Sequence, residues 1–204
     1  MKIRNSCAEP DSCGKPGRKG AALRILETAC ELFYKRGIRA VGVDEIVSQA
    51  GVTKPSLYRS FGSKDELVTA CLEKYAEDSA LGVEAALAAA GDDPRSQLRA
   101  YVAYHAEQMS APGFRGCPMS NLAVEFPESG QSARIVAEGC KVELRERLAL
   151  LARQMPVREP EALADGILLL MEGAASTHHI FGSQGPAQCL IRAADALIES
   201  HLIR

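Results

Sequence analysis

Residues 53–59 read Thr-Lys-Pro-Ser-Leu-Tyr-Arg, with Lys64 a short distance on. A hydroxyl, an ammonium, a phenol and a guanidinium packed this closely suit a polyanion. Thr53 and Lys54 can reach phosphate oxygens, Tyr58 offers a phenolic donor, Arg59 can fork onto phosphate or a guanine edge, and Lys64 stands where a backbone phosphate would pass. Ser56 points from a first helical turn toward base edges, and Pro55 can meet a thymine methyl, whereas Leu57 reads as core. A solvated polar helix face accounts for any one of these alone, and for Arg59 best of all. Two short helices meeting across Ala50-Gly51-Val52 would place them in a helix-turn-helix, a spacing that a three-helix core packing two amphipathic helices at a corner satisfies as well.

A second constellation lies further along. Glu172 interrupts the apolar run Gly166-Ile-Leu-Leu-Leu-Met171, and a carboxylate there needs a partner or a ligand. An arginine partner at an interface edge is the plain explanation. Tyr75, Tyr101, His105, Phe126, Met171 and Glu172 together can bound an effector cavity, because His105 and Glu172 sit inside long apolar helices where unpaired polar groups are costly. Each aromatic or Met taken singly reads as ordinary core.

Seven cysteines, at 7, 13, 30, 71, 117, 140 and 189, form no CxxC pair, and an odd number cannot close within one chain. We read reduced thiols in a cytoplasm. A thiol sensor on Cys117 or Cys140 needs neighbouring cations, and Arg115 is the only one local in sequence, so a buried, inert thiol is the plainer reading. Cys7 and Cys13 lack further ligands for a metal, and His178 and His179 diverge by about 100° on a helix. No metal and no cofactor are expected. The absence of GxSxG, GxxxxGK[ST], HExxH and GxGxxG elements argues against an enzyme.

The elements that position these residues are all helical. Ala22, Ile25, Leu26, Ala29 and Phe33 follow a helical period that Gly37 stops, which predicts a helix over 20–36. A short helix over 43–50 presents Val43, Ile46 and Val47 inward, and Gly51 turns the chain. Thr53 caps a third helix with Pro55 in its first turn, and Ser63 with Glu66 forms a capping box for a fourth, running from 64 into the 80s. Further helices are expected over 94–110, between Pro112 and Pro127, over 130–154, around Leu163–Ala175 and over 186–203. Residues 1–19 read as a basic arm, whose Lys15, Arg18 and Lys19 either enter a minor groove or only aid solubility. No run of apolar residues spans a membrane, and the N-terminus lacks a signal-peptide pattern.

Charge divides along the same lines. The net charge is −2, yet residues 1–64 hold twelve Lys and Arg against six Asp and Glu, and the remainder holds twelve against twenty. One part is built for a polyanion and the other is not.

The stretch ILETACELFYKRGIRAVGVDEIVSQAGVTKPSLYRSFGSKDELV, about a quarter of the chain, resembles the DNA-binding domain of the tetracycline-repressor (TetR) family. Ile25, Leu26, Ala29, Leu32, Phe33, Gly37, Ile46, Ala50, Gly51, Val52, Leu57, Tyr58, Phe61, Lys64 and Leu67 carry the pattern. Gly42 stands where the family often has a phosphate-contacting Thr, and Ser60 where His is common; backbone N–H groups near Gly42 and Val43 remain available to phosphate. Gly116–Pro127, GCPMSNLAVEFP, resembles a segment of some TetR regulators.

The resemblance implies an all-α protein with a helix-turn-helix domain over 20–66 and an effector-binding and dimerisation domain over 67–204. It implies a homodimeric repressor that binds palindromic operator DNA and is released by a small molecule. The alternative is a helical dimer that binds a ligand or protein without operator DNA, for which Gly42 is the hint. The last two helices are expected to form the dimer interface through Leu163, Ile167, Leu170, Ala174, Leu190, Ala194, Leu197 and Ile198, with Gly166, Gly173 and Ala174 permitting close approach.

Overall fold

The computed structural model describes residues 17–203 apart from Ser129. Cys7, Cys13 and Lys15 of the basic arm lie outside the described residues. The first helix, α1, spans Gly17–Arg36, so it begins ahead of its first apolar residue. It is followed by α2 (Val43–Gln49), α3 (Lys54–Phe61), α4 (Lys64–Ala90), α5 (Pro94–Ser110), α6 (Pro118–Glu125), α7 (Ser132–Arg153), α8 (Pro160–Phe181) and α9 (Leu190–His201). Two short 3-10 turns follow α8, Gly182–Gln184 and Pro186–Cys189, and the second occupies the start of the segment expected to be the last helix. Among the described residues there is no strand, only an isolated bridge between Val157 and Leu202.

Local chemistry explains the boundaries. Ser63 Oγ accepts the Glu66 N–H at 3.0 Å and so caps α4 as the Ser-x-x-Glu pattern requires. Asp93 does the same for α5, accepting from Ser96 N at 2.9 Å, with Pro94 in the first turn. Gly51 between α2 and α3 has φ 61°, a left-handed conformation that a side chain would strain.

Two apolar clusters hold the molecule. The first joins Ile25, Ala29, Leu32, Phe33, Ile46 and Leu57 of α1–α3 to Leu67, Val68, Cys71 and Leu72 of α4, and takes in Met119 and Leu122 of α6 and Ala137 of α7. The second packs α5, α7, α8 and α9 with the later part of α4 around Leu98, Val102, Leu148, Leu163, Ile167 and Ile198. The reading head is therefore seated on the body through α6 as well as through α4. Burying each large apolar side chain contributes about 1.5–3 kcal/mol, so this seam is part of the fold's stability and not a flexible tether.

Candidate nucleic-acid interface and effector cavity

α2 and α3 meet across Gly51 and Val52 and pack on α1, the arrangement of a helix-turn-helix. Leu57 is fully buried and pins α3, which leaves Thr53, Lys54, Pro55, Tyr58 and Arg59 exposed and Ser56 half-buried at its rim. In the free protein this face satisfies itself: Thr53 and Ser56 hydroxyls lie 3.0 Å apart, Arg59 Nη2 donates to Ser56 Oγ at 3.2 Å, and Lys54 Nζ pairs with Asp44 at 2.9 Å. Asp44 raises the Lys54 pKa above its usual value, so the ammonium stays charged. Gly42 is the N-cap of α2 with no side-chain cap, is exposed, and is followed by half-buried Val43.

Lys64 is placed differently from the other cations. Its Nζ donates to the Ile38 carbonyl at 2.7 Å and lies 5.8 Å from the centroid of the Phe33 ring. It ties α4 to the turn before α2.

That turn is also gripped by α6. Glu125 accepts N–H bonds from Ile38 at 2.9 Å and Arg39 at 3.2 Å. Gly37, at φ 86°, makes room for it, because a Cβ there would meet Glu125 Oε1 at 2.7 Å. Tyr34 OH donates to Gly116 O at 3.0 Å and accepts from Arg115 N at 2.7 Å, closing the other side of the seam. Sequence reasoning placed Glu125 in a family-like segment without a role, since its partners are far away along the chain.

Behind this seam Tyr75, Tyr101, His105, Met171 and Glu172 line one cavity of about 190 Å³, bounded by α4, α5, α7 and α8. Phe126 is not brought to it. It ends α6 and turns toward the head, with the Arg39 guanidinium 5.3 Å from its ring centroid. Glu172 has partners that the sequence did not suggest: Ser120 Oγ donates to it at 2.8 Å, and Lys141 forms an ion pair with it. Burial works against the Lys141 ammonium, but the Cys117 sulfur and Glu172 outweigh it and hold its pKa above the ordinary lysine value. His105 Nε2 is sealed from solvent and has no partner. Burial first, and Lys141 second, push the His105 pKa down to about 4, so the ring is neutral near pH 7. A second, larger cavity of about 690 Å³ lies between head and body and shares Tyr75 as a wall. No three His, Cys, Asp or Glu side chains gather for a metal among the described residues, and no described helix is long and apolar enough to cross a membrane.

The residues named for dimerisation divide. Leu163, Ile167, Ala174, Leu190, Ala194 and Ile198 are buried inside their own subunit, and Gly166 faces Leu197 across the α8–α9 contact of the same chain. Leu170 and Leu197 are only partly covered. Of the exposed apolar residues of α8, Leu169 and Ile180 lie on another face and Phe181 at the helix's last position. Helical periodicity finds an apolar stripe but cannot say whether the chain itself or a second copy covers it.

A helix-turn-helix head on a helical body with an internal cavity defines a class of DNA-binding regulator. The family profile described as "Bacterial regulatory proteins, tetR family" matches residues 25–71. The transcriptional activator FasR of Mycolicibacterium smegmatis is 35% identical over 119 residues, 57% of this chain and 53% of FasR, so the chain spans about half that relative's length. A crystal structure of a TetR-family transcriptional regulator from Streptomyces coelicolor superposes with TM-score 0.86 at 26% identity, over 90% of this chain and 97% of that one. A second, described as a tetr-transcriptional regulator of Streptomyces avermitilis, is 32% identical with TM-score 0.70, over 86% of this chain and 98% of that one. The chain belongs to the TetR family and is a transcriptional regulator.

Proposed function

We propose that the protein is a repressor that binds a palindromic operator as a homodimer and is released by a small molecule held in the cavity beside Glu172. The exposed polar face of α3, braced from beneath by buried Leu57, is the observation that carries this reading. Thr53, Lys54 and Tyr58 set the register on phosphates, and Ser56 and Arg59 read bases. Two heads related by a two-fold axis require half-sites about one helical turn apart. The exposed apolar face of α8, with Leu169 and Ile180 at 72% and 77% exposure, supplies a surface for a second copy.

The test is binding to DNA from the region upstream of the protein's own gene, across a salt series. Affinity should fall steeply as salt rises, since Lys and Arg from both subunits displace condensed counterions. Arg59→Ala should relax the preference among base pairs by about tenfold, equivalent to roughly 1–3 kcal/mol of lost discrimination. An affinity that is flat with salt, or equal for operator and scrambled duplex, removes the operator from the function.

A further inference from the structure

The cavity beside Glu172 holds a nucleophile with its own cation. Cys117 stands at the N-cap of α6 and lines this cavity, and Lys141 Nζ donates to its sulfur at 3.3 Å. Arg115, the cation nearest in sequence, sends its backbone to Tyr34 and Asn121, while Lys141 arrives from α7. Lys141 is anchored by Glu172, which Ser120 of α6 also holds. Because Lys141 remains an ammonium, it serves as the cation and Cys117 as the nucleophile. Cys140 lines the same cavity, but burial first and Glu143 next raise its pKa, and it has no hydrogen bond to a cation among the described residues.

We propose that Cys117 captures a small α,β-unsaturated carbonyl compound in this cavity as a covalent thioether, and that the adduct loosens the reading head. This rests on the cavity's being the effector site, and it supplies the chemical class of the effector. The thiol proton leaves to solvent as the sulfur attacks, with the Lys141 ammonium held against it by the hydrogen bond at 3.3 Å. Sulfur then bonds to the β-carbon, and the π pair moves to the carbonyl oxygen. A proton from solvent returns to the α-carbon, so one S–H has added across one C=C with no oxidant or reductant consumed. A volume of about 190 Å³ suits a small compound.

The route to DNA is short. An adduct on Cys117 takes the space between its sulfur and Lys141, at the first residue before α6. Eight residues of α6, about 12 Å, separate that point from the grip of Glu125 on Ile38 and Arg39. A shift of α6 along its axis therefore reaches the turn that sets α2 and α3.

Methyl vinyl ketone is the probe, added in modest excess at pH 7 to the full chain, with peptide mass mapping over time and operator binding measured before and after. Exposed Cys189 is a stringent reference within the same molecule, because Arg192 Nη2 lies 3.2 Å from its sulfur but it lines neither cavity described above. Cys117 should be alkylated about tenfold faster than Cys189. Lys141→Met should bring the two rates together, and adduct formation should lower operator affinity at least tenfold (order of magnitude for a coupled site). Equal rates at Cys117 and Cys189 in the unmodified chain would overturn the proposal without any variant having to fold. A Lys141→Met rate equal to the original, or an adduct on Cys117 that leaves operator affinity unchanged, would overturn it as well. Operator binding before the probe is added judges the repressor reading separately, since labelling rates do not depend on DNA.

Discussion

Lys64 and His105 are the residues whose surroundings most change what their sequence positions suggest. Lys64 looked like a phosphate contact, yet it is bonded to Ile38 O and the Phe33 face in the free protein. Lys64→Met should therefore lower stability by about 2 kcal/mol, the size of a charged hydrogen bond, in urea unfolding of the protein without DNA. If only DNA affinity changes, the bond to Ile38 is not formed in solution. His105 is neutral and half-buried, with its Nε2 sealed from solvent and a pKa near 4, below its unfolded value of about 6.5. Between those two pH values the unfolded chain binds the extra proton, so stability declines as pH falls from about 6.5 toward 4. The part due to this ring amounts to about 3 kcal/mol over the whole range, and His105→Gln should remove it. Urea midpoints at pH 7 and pH 5 for both proteins measure the difference; parallel losses would remove His105 from the acid response.

Among the elements, α6 does more than its eight residues suggest. Its N-cap faces the cavity, its middle buries Met119 and Leu122 in the head's core, and its last residue holds two backbone N–H groups of the turn before α2. Arg134 covers its C-terminal end, donating to Ala123 O at 2.7 Å. A single short helix thus touches the cavity, the head's core and the turn before α2. Glu125→Ala should leave the Ile38 and Arg39 amides without an acceptor, at a cost of about 1–3 kcal/mol to the seam. Hydrogen exchange should speed up at those two amides and through α2, while α8 and α9 remain protected. Uniform acceleration across the chain would mean that the seam is not a separate unit.

At the scale of the molecule, the proposed homodimer needs an apolar surface that the subunit itself leaves uncovered. Leu169 and Ile180 on α8 stand free in the subunit, whereas Ala194 is 2% exposed in its core. Leu169→Glu should give folded monomers by sedimentation velocity, with half-site binding weakened and unfolding little changed. Ala194→Glu should instead fail to fold, since it buries an unpaired carboxylate among close-packed helices. A Leu169→Glu protein that remains dimeric would place the interface elsewhere. The charge asymmetry belongs to this scale too: a basic head on an acidic body keeps the body from competing for the phosphates that the head approaches.

Periodicity, caps and turn residues determined the helices almost by themselves, because each signal acts within one or two turns: Ser63 with Glu66, Pro55 in the first turn of α3, Gly51 after α2. The exposed polar face proposed to read DNA was legible for the same reason, Thr53 to Arg59 being one short stretch whose buried residue, Leu57, marks the opposite side. Only tertiary structure decided the rest. Phe126 faces Arg39 and not the cavity, Glu172 meets Lys141 and Ser120, and Glu125 reaches Ile38, each through partners brought close by packing between helices distant in the chain. The stripe of α8 and α9 likewise records only that something apolar covers it. Whether that is the same chain or another depends on how the helices are rotated in the bundle, which no single helix's sequence specifies.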